Sequence, residues 1–378
     1  MVNKPLARAR LITQGVAAPL DVASTSGTAE HVQDIAAHFG ATQGQDLPGT
    51  ISALAYRVGT AGAVDAVHQA FEQGLIVRGY PMRGTVFVTA AEDLAWITEL
   101  CSGGPAKSAM TNRPRLGLED KHVEQAADIH ADIAVDGGCT RSELFDAFER
   151  NGIPMGPGCG YHLLKALLHH GMAAYGPLAG ESARLENRVM VAGNWLPKKS
   201  GLEDRFNGDE HAAIVELLRR YLDSHGPASL RDFAWWSKLP LGKIRQAFAE
   251  IKDRYAPWDT SSSAPGEELW LRHADRDRVL NHEKSANKPR LLAAFDEVIL
   301  GYPDRMYIVP EAHHADLVPG NNGIFRQAVI ASGEVIGFWK RQGSANKRTF
   351  VMEKFKPLSP TRAKQLQARF NVYPFATA

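Results

Sequence analysis

Gln43 and Gln45 are the residues whose type and spacing could do chemistry directly. They sit two positions apart in Thr42-Gln43-Gly44-Gln45-Asp46-Leu47-Pro48-Gly49, and alternate side chains of an extended segment leave by the same face. A glutamine side chain is neutral, offers one carbonyl acceptor and two N–H donors, and is a poor base at biological pH. Two of them can hold a water by its protons and aim it, which suffices only when the leaving group is already activated. The competing reading is a polar loop with two surface amides, because Q-x-Q is a weak pattern by itself. Asp46 adjoins the pair and could supply a carboxylate; an outward turn beside Leu47-Pro48 is equally consistent.

The chain that must position this pair has 378 residues, too many for one ordinary core, with 44% hydrophobic and 22% charged residues. That composition suits sizeable cores and excludes a disordered or fibrous class. Cys101, Cys139 and Cys159 are odd in number and widely spaced, which fits a reducing compartment. There is no apolar run long enough for a membrane span, and the N-terminus lacks the apolar core of a signal peptide. A cytoplasmic, nucleoid-associated protein without membrane contact is expected.

Apolar spacing at Val32, Ile35, Ala36 and Phe39 predicts a helix over 30–39, just ahead of the glutamines. Further helices are expected over 6–14, 50–58 and 63–73, then strands over 76–80 and 84–89. Helices followed by a two-stranded hairpin are the parts of a winged helix, and this first module spans 1–104. A connector rich in Gly, Pro, Asn and Arg at 103–115 leads to a second module, 118–196. Its helices are expected over 121–135, from the capping box Thr140-Arg141-Ser142-Glu143, and over 161–170, with strands at 172–175 and 188–192. A third module, 202–285, has helices over 210–224, 229–237 and 241–251 and a strand at 268–272. Residues 286–378 change character: an apolar run at 291–300 precedes strand-like runs at 327–331, 335–340 and 348–355, within a β-rich stretch from 306 to 354, and a helix at 360–370. The predicted fold class is α+β, with three tandem winged-helix modules and a small C-terminal β-rich region, a partial barrel.

A net charge of +1 does not mark the whole chain as nucleic-acid-binding, so the distribution of charge matters more than its sum. From 338 to 369, nine Lys and Arg stand against a single acid, Glu353. Lys340, Arg341, Lys347 and Arg348 in that region are expected on DNA phosphates. Arg78 and Arg83 in the first hairpin, Lys165 on the 161–170 helix, Lys198 and Lys199 in the next connector, and Lys243 and Arg245 on the last helix of the third module complete the expected DNA-binding set. Trp235-Trp236 reads as core in preference to a base-stacking pair. Cys159 with His162, His169-His170 and His313-His314 each lack the second half of a zinc site, so no metal is expected.

Three blocks carry a family resemblance. Gln43-Gly44-Gln45-Asp46-Leu47-Pro48-Gly49 is the first. Val77-Arg78-Gly79-Tyr80-Pro81-Met82-Arg83-Gly84-Thr85 is the second. The third is Leu291-Leu292-Ala293-Ala294-Phe295-Asp296-Glu297-Val298-Ile299-Leu300-Gly301-Tyr302-Pro303-Asp304-Arg305, followed by Val318-Pro319-Gly320-Asn321-Asn322-Gly323-Ile324-Phe325-Arg326. In that order they resemble the AlkZ/YcaQ-type winged-helix DNA glycosylases and span nearly the whole chain. The resemblance implies tandem winged-helix modules around a DNA channel and, as in the AlkZ branch, a catalytic Q-x-Q pair at Gln43 and Gln45. It implies a monofunctional DNA glycosylase for cationic alkylated purines, N7-alkylguanine and N3-alkyladenine, in double-stranded DNA, bulky adducts and interstrand crosslinks included. No cofactor is expected, and the chain is expected to act as a monomer. Two positions depart from the family pattern: Gly44 replaces a small apolar residue, which is expected to loosen the loop, and Phe87 stands where relatives often have His. The alternative is a winged-helix DNA-binding regulator without catalysis.

Overall fold

In the computed structural model, which describes residues 1–378 except 26, 181–184, 259–267, 322, 344–346 and 377–378, the stretch after the glutamines is a helix from its first turn. Asp46 is the N-cap of Leu47–Val58, its Oδ2 accepting from the Gly49 amide at 3.1 Å. Pro48 lies in the first turn, where a missing N–H costs nothing, so the helix begins ahead of the expected residue 50. Its buried Leu47, Ile51 and Leu54 pack with Val32, Ile35 and Phe39 of Ala29–Phe39 and with Val67 and Phe71 of Ala63–Glu72.

The expected first and second hairpins are fused into one sheet. Strands β1 (Thr42–Gln43), β2 (Ile76–Met82), β3 (Thr85–Ala90), β4 (Ala173–Leu178) and β5 (Asn187–Val191) follow the order β1-β3-β2-β4-β5. Arg78 of β2 stands opposite Tyr175 of β4 at the seam. An isolated hairpin leaves both outer edges unpaired, and joining β2 to β4 covers one edge of each. The third hairpin, β6 (Tyr255–Pro257) with β7 (Trp270–Arg272), stands apart as two strands.

Other expectations shift with packing. The 103–115 connector is helical over Gly103–Met110 and Arg113–Leu116. A helix without an apolar stripe in its sequence, Asp275–Ala286, buries only Asp275, Val279 and Ala286, and it lies against Lys4–Thr13. The C-terminal region is an open antiparallel sheet in the order β11-β10-β9-β8, formed by β8 (Arg290–Leu291), β9 (Gln327–Ala331), β10 (Glu334–Gln342) and β11 (Thr349–Lys354), where a partial barrel was expected. Residues 306–326, expected as the start of the β-rich stretch, contain short 3-10 turns such as Glu311–His313 and Ala315–Leu317. Asn322 of the third block lies outside the described residues. Pro360–Asn371 closes the sheet by setting Leu366 and Phe370 against Leu291, Val329 and Trp339.

The largest core joins distant segments: Leu11 and Ile12, Leu217 and Tyr221, Phe233 and Trp236, Tyr302 and Ile308. Arg10 is buried within it, donating from Nε to the Pro227 carbonyl at 2.9 Å and lying 3.6 Å from the Tyr302 ring centroid. A desolvated cation over an aromatic face contributes about 2 kcal/mol, so the first helix is locked to both the third segment and the C-terminal block. Among the described residues, no helix is long and apolar enough to cross a membrane.

Candidate active site

β1 is short, and hydrogen bonds from three directions hold it. Gln43 pairs with Phe87 of β3; its N–H donates to Glu297 Oε2 at 3.1 Å, and its carbonyl accepts from Thr50 Oγ1 at 3.1 Å. With the backbone fixed, the residue as a whole is 8% exposed, and its carboxamide has no hydrogen-bond partner among the described residues. Gln45 is exposed, and its Oε1 accepts from the Val86 N–H at 3.4 Å. The two residues therefore differ in burial: one amide sits at the edge of the protein interior and the other in solvent.

Gly44 between them does not loosen the loop. Its N–H donates to the Val86 carbonyl at 2.8 Å, and its carbonyl accepts from Arg78 Nε at 3.0 Å and Nη2 at 2.5 Å. A side chain here would place Cβ 2.9 Å from the Phe87 carbonyl carbon, so glycine lets β1 lie close against β3. Arg78, expected on phosphate, is buried and turned inward. Its Nη1 donates to Asn187 Oδ1 at 2.5 Å, and burial lowers its pKa to about 10. Phe87 is fully buried and meets Trp236 edge-on.

Behind the glutamine strand stand two acids that the sequence reading placed in a block without giving them a role. Glu297, 2% exposed, accepts from Gln43 through Oε2 and from Trp236 Nε1 through Oε1 at 2.8 Å, with His225 Nε2 3.3 Å from Oε1. Burial lowers the His225 pKa and favours the neutral ring. Asp296 takes a bidentate pair from Arg57, Nη1–Oδ2 at 3.1 Å and Nη2–Oδ1 at 2.9 Å, and caps Glu297–Leu300 through the Val298 N–H. Adjacent acids inside an otherwise apolar run are themselves a signal, since buried carboxylates demand partners.

Gln45, Asp46, Arg78, Arg141, Tyr175 and Glu186 line an open cleft of about 240 Å³ between the first two segments. Asp46 is partly buried there, which raises its pKa, while its Oδ2 is engaged by Gly49. Three larger clefts lie away from the glutamines: two of about 450 Å³, beside Tyr56 and Arg369 and beside Phe325 and Lys340, and one of about 340 Å³ beside His313 and Phe355. The cleft beside Phe325 also has a carboxamide, Gln327, on its wall, so neither size nor a carboxamide alone locates the chemistry. Among the described residues, no group of three or more His, Cys, Asp and Glu is placed to hold a metal ion.

The expected DNA-contact residues fall into different settings. Lys165 is half-buried with Nζ 5.4 Å from the Tyr80 ring centroid, and burial lowers its pKa, so this helix packs on β2 instead of standing free. Lys243 is paired with Glu210 at 2.7 Å, which uses its charge within the protein. Lys198 donates to the Gly193 carbonyl, Lys199 is exposed, and Arg245 lies in a shallow cleft with Leu241 and Phe248. Lys340, Arg341 and Lys347 are exposed at the outer end of the β10–β11 hairpin, and Arg341 and Arg348 lie over Phe375 at 5.6 and 4.6 Å. Arg83 stands on Trp235 at 4.0 Å, joined there by Lys238 and Arg305, two cations the sequence reading passed over. Trp235 is half-buried, whereas Trp236 is core.

The class of protein is shown by the family comparison: the chain belongs to the DNA glycosylase AlkZ-like family, whose model matches residues 36–373. It is 26% identical over 186 residues to the interstrand DNA cross-link repair glycosylase of Streptomyces sahachiroi, covering 47% of this chain and 45% of that one. The chain thus spans about half the length of the curated relative it matches. Its fold is similar to that of the Streptomyces sahachiroi DNA glycosylase AlkZ, with a TM-score of 0.66 at 16% identity over 98% of this chain and 95% of the other.

Proposed function

We propose that this protein is a monofunctional DNA glycosylase that hydrolyses the N-glycosidic bond of cationic alkylated purines, N7-alkylguanine and N3-alkyladenine, in double-stranded DNA. The observation that carries the reading is Gln43: a residue largely buried, on a backbone held by Glu297, Thr50 and β3, whose carboxamide reaches the surface without a protein partner among the described residues. Such a group is organised for something the protein itself does not supply. A water held by its protons on the Gln43 carbonyl and the second lone pair of Gln45 Oε1 attacks C1′ of the deoxyribose as the bond to the base nitrogen breaks and its electron pair leaves with the base. The water's proton passes to solvent through the open cleft, and the amide carbonyl dipoles stabilise the developing oxocarbenium charge. An N7- or N3-alkylated purine carries a positive charge and leaves as a neutral base, so no strong acid is required of the protein. Asp46, engaged as a helix cap, is not assigned the proton.

In this reading the three helix–hairpin units act as tandem winged-helix modules, divided at 1–104, 118–196 and 202–285, with 286–378 as the basic C-terminal region. The protein acts as a cytoplasmic, nucleoid-associated monomer on duplex DNA. The lesion sugar is met at the open cleft beside Gln45, with the base left outside, so bulky N7 adducts and interstrand crosslinks are accepted as well. The β10–β11 hairpin cations Lys340, Arg341, Lys347 and Arg348, with Lys198, Lys199 and Arg245, contact the backbone.

The test is a matched panel of duplexes carrying N7-methylguanine, a bulky N7-guanine adduct or uracil, incubated under single turnover and then treated with alkali to cut abasic sites. Breaks are expected for both cationic lesions and not for uracil, whose neutral base needs acid assistance. A shifted band without breaks on any lesion identifies a DNA-binding regulator instead. Loss of the bulky substrate alone refutes the open-cleft geometry.

A further inference from the structure

Three cations converge on one half-buried indole beside the glutamine strand. The Arg83 guanidinium lies 4.0 Å from the Trp235 ring centroid, Lys238 Nζ 5.4 Å and the Arg305 guanidinium 5.9 Å. They come from the β2–β3 turn, the Lys238 C-cap of Leu230–Ser237 and the third sequence block, so only the tertiary fold assembles them. None forms an ion pair within 4 Å among the described residues. Arg83 and Arg305 each donate once, to the Leu300 carbonyl at 3.4 Å and the Ile299 carbonyl at 3.2 Å, which aims both at the same short helix end. The carboxylate whose field reaches Arg83 is Glu297, and both of its oxygens are already engaged by Gln43 and Trp236. Asp304 is used by the Met306 N–H.

Glu297 acts on Arg83 and Asp304 on Arg305 without an ion pair within 4 Å among the described residues, so three cations face two carboxylates and the net positive charge is completed by an anion. The Trp235 ring is occupied by Arg83, which makes it a floor that presents the guanidinium and leaves no room for base stacking on that face. We infer that Arg83, Lys238 and Arg305 on Trp235 form a phosphodiester-binding subsite that grips the DNA backbone within a few nucleotides of the reacting sugar. Glu297 connects the two places: it holds the Gln43 amide directly and begins the helix whose last carbonyl holds Arg83. The inference rests on the glycosylase reading for its substrate, and it adds a grip whose residues are separate from those lining the Gln45 cleft.

The experiment compares the salt dependence of binding to an N7-methylguanine duplex for wild type, Lys238→Gln and the triple variant Arg83→Gln, Lys238→Gln, Arg305→Gln. Each phosphate contact contributes about 0.9 to the slope of log K against log salt. The triple variant is therefore expected to lower the slope by about 2 to 3, and Lys238→Gln, a change at an exposed position, by about 1. Neutral methylphosphonate linkages scanned through both strands should weaken the wild type at two or three positions near the lesion and have no further effect there on the triple variant. Unchanged slopes in Lys238→Gln, or identical scans for wild type and triple variant, overturn the subsite, the second result marking a site for a free anion. Should the triple variant fail to fold, the Lys238→Gln slope alone decides. Base release by the wild type is measured on the same duplex: lowered slopes without base release leave the subsite standing and remove the glycosylase reading, and the converse removes only the subsite.

Discussion

The Gln43 N–H donates to Glu297 Oε2 at 3.1 Å while the other oxygen of the same carboxylate accepts from Trp236 Nε1 at 2.8 Å. A carboxylate accepts at both ends, and a carboxamide at one only. Glu297→Gln should therefore leave one of the two donors facing an NH2 group, costing about 1–3 kcal/mol and slowing base release by displacing Gln43. Adding Trp236→Phe removes the shorter of the two contacts at Oε1, leaving His225 Nε2 at 3.3 Å there, and should recover part of both losses. Urea denaturation and single-turnover base release measure the pair, and a double variant no better than the single would show that the shared carboxylate is not what holds Gln43.

The glutamines themselves are the most direct test of the site. Gln43→Ala and Gln45→Ala should each slow base release by about 100-fold or more with duplex affinity nearly unchanged. Wild-type rates in both would remove the assignment.

Gly44→Ala puts a methyl carbon 2.9 Å from the Phe87 carbonyl carbon and 3.1 Å from the Val88 nitrogen, both backbone atoms of β3. Backbone cannot step aside as a flexible side chain can, so β1 must move. A displacement approaching 1 Å is expected to cost about 100-fold in single-turnover rate, with a smaller effect on melting temperature. An unchanged rate would mean that the flanking carboxamides do not depend on where β1 lies.

Arg57 and Asp296 form an ion pair with side-chain exposures of 2% and 3%. Removing one partner strands a buried charge, so Arg57→Met should destabilise by about 3–5 kcal/mol. The double variant Arg57→Met, Asp296→Asn removes the stranded charge and keeps a capping oxygen for Val298, and should be more stable than Arg57→Met alone. Urea midpoints rank the three proteins, and equal midpoints for single and double variants would contradict the pairing.

His38 supplies a pH dependence with a definite sign. Burial, reinforced by Arg272 and Arg278 against Asp275, lowers its pKa to about 3, while in the unfolded chain it titrates near the ordinary histidine value of 6.5. Below pH 6.5 the unfolded state binds the proton and the folded state does not, so this contribution to stability is full above 6.5 and is lost as pH falls toward 3. Between pH 7 and pH 5 the melting temperature should fall, and His38→Leu should fall less. Parallel curves for the two proteins would assign the acid sensitivity to other groups.

Local signals in the sequence were sufficient for many of the elements. Period and capping placed Leu241–Ile251 at its observed ends and Glu210–His225 within a residue, because an amphipathic stripe and a breaker such as Pro240 act over a few positions. The Thr140–Glu143 capping box formed as read, and β9 occupies 327–331 as expected. The expectation that Gln43 and Gln45 act together is left to the variants above, while the family blocks were legible as text. Asp275–Ala286 was not, since a helix that buries few apolar side chains leaves no period to detect.

What only the tertiary structure decided was the environment of each of these side chains. Arg78 and Arg83 lie in one hairpin, yet Arg78 turns inward to hold the Gly44 carbonyl, while Arg83 stands on Trp235 beside Lys238 and Arg305. The joining of β2 to β4 buries Arg78 at the seam, and no feature of either hairpin alone announces that pairing. Glu297 reaches Gln43 across more than 250 positions of sequence separation. Periodicity reports which face of a segment is apolar. The partner of a polar group is fixed by where the chain brings two distant segments together, and that depends on the packing of the whole molecule.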